Sequence, residues 1–320
     1  MSSRLNLALN SGLSLSQPLT VLAPTADHDL SDLPRETQVV QPFKPFHDHF
    51  SAQGFAVIPE SHDPCQNAIV FLPRAKALAR ALVYQACKRA SGVVVVDGAK
   101  TDGIDSLLKD IRKRVVVEGP ISKAHGKIIW FPSDATAFAD WAAPKTQMAD
   151  GFQTAPGVFS ADGIDPASAL LLKSLPKKLG SRIADLGAGW GFLSANLIND
   201  SLRSLHLVEA DYTALTCARV NVSAACAQFH WADATIWAAP EPLDTVVMNP
   251  PFHTSRSADP ALGQGFIVSA ARNLKRTGSL WMVANRHLPY EAALGTAFAQ
   301  VQEVAGDNRF KVFHASRPKA

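Results

Sequence analysis

Short apolar runs alternate with helix-forming stretches along most of the chain, and this alternation strongly limits the possible folds. In the second half, RIADLG, LHLVEAD, DTVVMN and GSLWMVAN read as strands, with amphipathic stretches between them. Strands separated by helices form βαβ units, whose parallel strands are covered by helices on both faces of the sheet. We therefore predict an α/β protein with two tandem Rossmann-like domains. Both should be doubly wound seven-stranded sheets, and the second should close with a hairpin of VQEVAG and RFKVFHAS.

Length and composition describe an ordinary globular chain. Its 320 residues suggest about two domains, and we place the boundary after residue 145. Residues 1 to about 45 are rich in Ser, Pro and Thr, so we expect loops there and at most one short strand. No apolar run reaches the roughly 18 residues that cross a bilayer, and the four cysteines show no metal-ligand spacing. We expect a cytoplasmic protein without a membrane segment or a metal site.

The net charge of +3 is unevenly distributed along the chain. From Arg74 to Lys127 there are twelve basic and five acidic residues. Such an excess is compatible with a polyanionic partner such as RNA. Solvated helix faces would produce the same pattern, and on charge alone they are the favoured explanation.

A glycine-rich turn, RIADLGAGWGFLS, lies between a predicted strand and a predicted helix. Gly187, Gly189 and Gly191 allow the backbone to turn sharply and approach a ligand, next to the unpaired amides of a helix N-terminus. Glu209 ends the next strand, where a carboxylate suits the two hydroxyls of a ribose. The pattern indicates a nucleoside site, although a turn that only closes a βα unit is the alternative.

Two kinds of nucleoside cofactor would fit this loop. Asp185 lies directly before the glycines, where it can anchor the loop or meet a cationic amine. Asp233 follows the third strand and can accept a hydrogen bond from an adenine amine. Trp190 would crowd the pyrophosphate of a nicotinamide dinucleotide at the helix start. These residues favour S-adenosylmethionine, which becomes S-adenosylhomocysteine when its methyl group is transferred.

The motif MNPPFH ends a buried strand that we expect beside the glycine-loop strand. Ligands of doubly wound sheets bind beyond the carboxyl ends of such central strands. The side-chain carbonyl of Asn249 and the backbone carbonyl of Pro250 can accept the two N–H groups of an exocyclic amine, which frees its lone pair for attack. Pro251 stiffens the turn, and Phe252 offers a face for base stacking. A stiff strand end without a catalytic role is the alternative.

DLGAGWG, VEAD, WADA and NPPFH together resemble the motifs of class I S-adenosylmethionine-dependent methyltransferases. PGVFSADGIDPASALLL, VANRHLPYEAAL and RFKVFHASR extend the resemblance to the bacterial ribosomal RNA guanine-N2 methyltransferases, and most closely to the small-subunit group C. The resemblance covers residues 151–318 well and residues 68–130 more loosely. It implies methyl transfer to N2 of a guanine, with ribosomal RNA or the small ribosomal subunit as the partner.

The resemblance also suggests a separate function for each half of the chain. Its members carry two methyltransferase-like domains, of which the first is degenerate. The resemblance thus makes residues 1–145 a degenerate domain with an RNA-binding role and residues 146–320 the catalytic domain. In agreement, the first regular strand is followed by FLPRAKALAR, without a glycine loop. The implied catalytic residues are Asn249, Pro250, Pro251 and Phe252. The implied cofactor-binding residues are Asp185, Gly187, Gly189, Gly191, Glu209 and Asp233, with Phe159 as a weaker addition.

Other interpretations stay open from the sequence alone. The acceptor could be the N6 amine of adenine or a glutamine amide, since NPP followed by an aromatic residue occurs in enzymes for both. A non-catalytic RNA-binding or assembly protein is a further alternative, which the intact motifs argue against. DGAKTDG could contact RNA backbone or simply connect a strand to a helix. Arg309 and Lys311 could reach RNA or serve only in a hairpin strand.

Overall fold

The computed structural model describes residues 3–251 and 260–319. The chain divides into two compact units, Met1–Lys145 and Thr146–Ala320, and each contains one seven-stranded sheet. The prediction of an α/β protein with two doubly wound sheets is confirmed. None of the helices in these described ranges is long and apolar enough to cross a membrane.

The first unit is a mixed sheet between two layers of helices. Its strands are Leu19–Leu22 (β1), Gln38–Val40 (β2), Ala56–Ile58 (β3), Asn67–Phe71 (β4), Val93–Ala99 (β5), Glu118–Lys123 (β6) and Gly126–Pro132 (β7). Its helices are Ser3–Asn10 (α1), Lys44–Ala52 (α2), Lys76–Arg89 (α3) and Ile104–Ile111 (α4). The order is β3-β2-β1-β4-β5-β7-β6, parallel up to β5 and antiparallel on both sides of β7. One apolar core includes α3 and α4, and the other includes α1 and α2.

The start of the chain is more ordered than its composition predicted. β1 and β2 have four and three residues, which is too short to show a clear period of two. They exist because they pair inside the sheet, with Val21 opposite Ile69 of β4 and opposite Val39 of β2. The expectation of loops over residues 1–45 was therefore wrong. The apolar run RVVVEG, residues 114–119, also has the composition of a strand, but β6 begins only at Glu118, and Val116 is 84% exposed.

The second unit repeats the same strand order. Its strands are Gln147–Ala149 (β8), Phe152–Thr154 (β9), Arg182–Leu186 (β10), Ser204–Glu209 (β11), Ala227–Trp231 (β12), Leu243–Met248 (β13), Leu274–Asn285 (β14), Phe298–Gly306 (β15) and Phe310–Pro318 (β16). Its helices are Pro166–Ser174 (α5), Phe192–Leu197 (α6), Tyr212–Asn221 (α7), Pro260–Asn273 (α8) and Glu291–Ala297 (α9). The main sheet runs β12-β11-β10-β13-β14-β16-β15, and β8 pairs with β9 separately. The predicted closing hairpin of β15 and β16 is confirmed.

The pairing of β10 fixes which chain ends meet at the carboxyl edge of the second sheet. β10 lies between β11 and β13, with Leu186 opposite Val208 on one side and Met248 on the other, all in parallel. The residues that follow these three strands therefore begin side by side at the carboxyl edge of the sheet. Strand order reverses between β10 and β13, and ligands of open α/β sheets bind at such a switch point.

Arg89, at the end of α3, ties the short N-terminal strands to the rest of the first unit. Its Nε donates to the backbone oxygen of Asp63 at 2.8 Å, and its Nη2 donates to Gln38 Oε1 and Ser61 Oγ, both at 3.0 Å. The side chain is buried. Removing it would leave these acceptors without their donor in a place that water reaches poorly.

We expect Arg89→Ala to lower the free energy of unfolding of this unit by about 2–4 kcal/mol, because a buried, multiply bonded charged group is lost. Hydrogen exchange followed by mass spectrometry should show faster exchange in peptides covering β1 and β2. Lys88→Ala is the matched control, since Lys88 is exposed and neighbours Arg89 on the same helix. Equal exchange in the two variants would contradict the role given to Arg89.

Candidate active site

A cleft opens where β10 and β13 end. Its walls are the glycine loop after β10, the end of β13 and the segment that precedes β10. From the predicted set it is lined by Phe159, Gly187, Gly189 and Asn249, and it is also lined by Asp165 and Ser168. The structure thus brings part of the predicted cofactor set next to the predicted catalytic asparagine.

The glycine loop exposes its backbone to this cleft and is held by a carboxylate from the next strand. Gly189 has φ +55°, and a Cβ there would have no described atom within 4 Å. Its N–H donates to Glu209 Oε2 at 2.8 Å, and Glu209 Oε1 accepts the N–H of Asp211 at 2.8 Å. A carboxylate has about four lone-pair sites, so both oxygens keep capacity for hydroxyl donors. Glu209 therefore holds the loop and keeps acceptor capacity for further donors.

Burial raises the pKa values of two acids at the loop. The pKa of Glu209 rises to about 7, mainly through burial, with the charge of Asp211 adding to the effect. The pKa of Asp185 rises to about 6 because this residue is completely buried. Asp185 Oδ2 accepts the hydroxyl of Ser194 at 2.8 Å, and Oδ1 has no partner among the described residues. Of the two roles considered from sequence, this contact supports anchoring of the loop to α6.

The other predicted cofactor residues stand around the loop. Gly191 begins α6 with φ +89°, and a Cβ there would lie 3.0 Å from Val222 Cγ2, so close packing explains this glycine. Asp233 follows β12 and is partly exposed, and its Oδ1 accepts the N–H and the hydroxyl of Thr235 at 2.8 and 2.7 Å. Neither contact uses Asp233 Oδ2. Phe159 is 59% exposed at the cleft.

Trp190 is among the residues that line the cleft, yet nearly all of its side chain is packed inside the unit. Its indole is almost completely buried, with ring centroids 5.1 Å from Phe152 and 5.9 Å from Phe192. Its Nε1 donates to the backbone oxygen of Phe159 at 2.9 Å. The bulk of Trp190 therefore supports the loop from within and holds the Phe159 segment against it. The preference for S-adenosylmethionine rests on the other residues.

Asn249 lies at the other wall of the cleft, with its amide nitrogen fully used. Nδ2 donates to Asp165 Oδ2 at 2.9 Å and to Ser168 Oγ at 2.8 Å. Asn249 Oδ1 is buried and has no hydrogen-bond partner in the part of the chain that the structure describes. Pro250 is buried and Pro251 is exposed. Phe252 lies outside the described residues, so its stacking role stays a prediction.

Sequence reasoning missed Asp165 and Ser168 as members of the site. A local signal was available, since Asp165-Pro166 followed by a serine is a typical helix start, with Pro at the first helical position. Asp165 Oδ2 indeed accepts the Ser168 N–H at 2.8 Å as the N-cap of α5. Their contact with Asn249 comes from tertiary structure and leaves no local signal.

The corresponding edge of the first unit has a different construction. β1 holds the place in its sheet that β10 holds in the second, because β1 lies between β2 and β4 at the point of reversal. The sequence argument looked for a glycine loop after β4, and this choice of strand was wrong. The conclusion about the loop is unchanged, since residues 23–41 after β1 contain no glycine.

Gln41 stands where Glu209 stands in the second unit. In the two sheets Leu22 pairs with Val40 just as Leu186 pairs with Val208, so the next residues along are Gln41 and Glu209. Gln41 Nε2 donates to the Pro24 oxygen at 2.5 Å, and its Oε1 accepts the Phe43 N–H at 2.7 Å. In the first unit the Gln41 amide donates to the Pro24 carbonyl, whereas in the second unit the Glu209 carboxylate accepts the Gly189 N–H. The first edge therefore lacks the open glycine and the acidic ribose partner.

The second edge has the features that S-adenosylmethionine requires. An open glycine backbone can approach the ligand, Glu209 has lone pairs for two hydroxyls, and Asn249 Oδ1 is an unused buried acceptor at the cleft. Among the described residues, no group of three His, Cys, Asp or Glu side chains is arranged to hold a metal ion.

Comparison with known proteins agrees with this geometry. The sequence model of the family described as "Methyltransferase small domain" matches residues 150–314. A protein of Hahella chejuensis named ribosomal RNA small subunit methyltransferase C is 31% identical over 265 residues, which cover 78% of this chain and 76% of the relative. The protein of the same name from Shewanella pealeana is 28% identical, with 96% of both chains covered.

The chain belongs to the small-domain methyltransferases, in the ribosomal RNA small subunit methyltransferase C family. A solved structure shares its fold with a TM-score of 0.78 and 22% identity, covering 97% of this chain and 90% of the other. That protein is the T. thermophilus 16S rRNA N2 G1207 methyltransferase (RsmC), in complex with AdoMet and guanosine. Family membership makes this chain a methyltransferase, in agreement with the interpretation of its motifs.

The raised pKa of Glu209 predicts a pH-dependent affinity for S-adenosylmethionine. We expect ribose hydroxyls to donate to the ionised carboxylate, so protonation of Glu209 below pH 7 should weaken binding. With a pKa of about 7, the dissociation constant should rise about tenfold from pH 8 to pH 6, since one protonation competes with the ligand. Calorimetric titrations at several pH values would measure this. Glu209→Gln should bind more weakly and lose the pH dependence, and a wild-type affinity that is constant over this range would contradict the assignment.

Proposed function

We propose that this protein transfers a methyl group from S-adenosylmethionine to N2 of a guanine in small-subunit ribosomal RNA. The observation that carries the proposal is the buried, unpartnered Oδ1 of Asn249, which lies at the same cleft as the glycine loop. The names of the relatives and the guanosine in the related T. thermophilus structure support the choice of acceptor. Such a substrate places the protein in the cytoplasm.

Different residues of the second unit bind different parts of the cofactor. Glu209 accepts hydrogen bonds from the ribose hydroxyls, the backbone of Gly187 to Gly191 passes along the ligand, and Asp233 accepts the adenine amine. Asp185 acts from beneath by holding the loop to α6. Phe159 borders the methionine end. When bound, S-adenosylmethionine supplies an electrophilic methyl group on a sulfonium.

The strand end at Asn249 performs the second task, which is to prepare the nucleophile. An exocyclic amine is a poor nucleophile because its lone pair is delocalised into the base. Asn249 Oδ1 and the Pro250 carbonyl accept its two N–H groups and turn the lone pair towards the methyl group, so that positioning supplies much of the rate. The nitrogen becomes cationic on attack and releases its proton readily, so no strong base is needed.

Asn249→Ala should abolish or nearly abolish methyl transfer, with a loss of 10²-fold or more in kcat, which corresponds to about 2.7 kcal/mol. Cofactor affinity should stay close to normal, because the ribose and adenine contacts come from other residues. The assay is incubation with labelled cofactor and small-subunit ribosomal RNA, followed by nucleoside mass spectrometry. N2-methylguanosine is the expected product. N6-methyladenosine would redirect the proposal to adenine, and wild-type turnover by the variant would remove Asn249 from the mechanism.

We propose that the first unit binds the RNA backbone through the carboxyl edge of its own sheet. This edge corresponds to the one that carries the site in the second unit. Three exposed cations lie at strand ends on that edge, namely Arg74 after β4, Lys100 after β5 and Lys123 as the last residue of β6. None of them has a carboxylate within ion-pair distance among the described residues. Exposed, unpaired cations are the groups that contact phosphates. This argument favours RNA contact for Lys100 of DGAKTDG.

Two other basic residues, Arg114 and Lys311, already have acidic partners. Arg114 forms a bidentate pair with Asp140 and lies 4.8 Å from the ring of Trp141. Lys311 is only 5% exposed and pairs with Glu291 at 2.5 Å, so it belongs to the packing of its hairpin rather than to an RNA surface. Arg309 remains exposed.

Replacing Arg74, Lys100 and Lys123 by glutamine should weaken RNA binding and flatten its salt dependence. Each lost phosphate contact removes roughly 0.7–0.9 from the slope of log K against log salt concentration, or about 2–3 for the three. Filter binding at several salt concentrations would measure the slope. A matched triple variant, Lys88→Gln, Lys109→Gln and Arg112→Gln, removes the same charge from exposed positions on α3 and at the end of α4. Equal slopes for the two variants would contradict a role for this edge.

A further inference from the structure

The amide of Asn249 can face only one way in this site. An asparagine side chain has two N–H donors on nitrogen and acceptor capacity on oxygen. Here both donors have partners, Asp165 Oδ2 at 2.9 Å and Ser168 Oγ at 2.8 Å. A carboxylate is an acceptor only, so turning the amide over would set Asn249 Oδ1 against an acceptor at hydrogen-bond distance. The chemistry of the neighbours, rather than the shape of the amide, determines its orientation.

We propose that Asp165 and Ser168 are positioning residues for methyl transfer, which hold Asn249 Oδ1 towards the acceptor amine. The inference rests on the proposed function and adds two residues to its machinery. Without them the amide could rotate and present N–H groups to the incoming nitrogen. Donors would then face donors, and an N–H would compete for the lone pair that has to attack the methyl group.

Asp165 is well suited to this task because the helix start immobilises it. The same Oδ2 that receives Asn249 Nδ2 also accepts the Ser168 N–H at 2.8 Å as the N-cap of α5. Ser168 thus contributes twice, with its N–H to Asp165 and with its Oγ to Asn249. The first turn of α5 and the end of β13 form one hydrogen-bonded unit, so the orientation of the acceptor is built into the fold before substrate arrives.

The charge of Asp165 adds to this geometry. Hydrogen bonds to an ionised group are stronger than those between neutral groups, and donation to a carboxylate shifts electron density towards the amide oxygen. The attacking nitrogen gains positive charge as the new N–C bond forms. The Asp165 carboxylate therefore stabilises the positive charge that develops on the attacking nitrogen, and it does so through the Asn249 amide rather than by direct contact.

Four variants separate these contributions. Asp165→Ala removes the acceptor and the charge, and we expect a 10- to 100-fold lower rate of single-turnover methylation. Asp165→Asn keeps an acceptor oxygen and removes the charge, so it should retain more of the rate than Asp165→Ala. Ser168→Ala removes one acceptor and keeps the helix cap, with an expected loss of about tenfold. Asp134→Ala is the control, since the Asp134 carboxylate likewise caps backbone N–H groups, those of Thr136 and Ala137 at 2.9 and 3.0 Å, but lies in the first unit.

Cofactor affinity and the amide signal distinguish positioning from a merely structural role. The dissociation constant for S-adenosylmethionine should stay within about twofold in all four variants. In selectively ¹⁵N-labelled protein, the Asn249 side-chain NH₂ signal, identified by its loss in Asn249→Ala, should show slow exchange of both protons. Exchange should quicken in Asp165→Ala and Ser168→Ala, and not in Asp165→Asn or Asp134→Ala.

The outcomes distinguish a failure of the positioning role from a failure of the proposed function. If the wild type methylates guanine and Asp165→Ala keeps its rate, or loses no more than Asp134→Ala, the positioning role is wrong. An Asn249 signal that is unchanged in Asp165→Ala also overturns it. If the signal responds as expected but the wild type does not methylate guanine, the orientation of the amide stands and the proposed function falls.

Discussion

The parallel pairing of β10 with β13 is the constraint on which the active site depends. It is a long-range contact, because β11, β12 and their helices lie between these two strands in the sequence. Because Leu186 lies opposite Met248, Gly187 and Asn249 are the first residues beyond the paired ends of two neighbouring strands. The glycine backbone that we assign to the cofactor and the Asn249 side chain that we assign to the acceptor amine therefore lie at one cleft. A shift in this register would separate the two halves of the reaction.

Two of the buried polar atoms that lack described partners belong to residues at this point. Asp185 Oδ1 and Asn249 Oδ1 are both buried without a described partner, and the pKa values of Asp185 and Glu209 are raised by burial. Each buried unsatisfied group costs about 1–3 kcal/mol in general. A sequence selected for stability alone would replace such groups. An unfilled buried acceptor at the cleft, beside acids with raised pKa values, is typical of a site that is completed by its ligands.

The two units show how little the fold alone decides about activity. Both sheets have the same strand order and the same point of reversal. In the second unit Glu209 holds the N–H of an open glycine, while in the first Gln41 holds the carbonyl of Pro24. The difference lies in a few residues after equivalent strands, which agrees with the general finding that function belongs to sites rather than to folds.

The sequence by itself determined the fold class, the order of the long elements and the two motifs of the site. These are local properties, since strand and helix periods, glycine turns and a proline-ended strand can each be read within about ten residues. Only the tertiary structure decided that the first residues form strands, because β1 and β2 are too short to show a period and are stabilised by their neighbours. It also decided that Trp190 is buried and that Lys311 is engaged in an ion pair. Above all, it joined Asp165 and Ser168 to Asn249, because a hydrogen bond between distant segments depends on packing that no local pattern records.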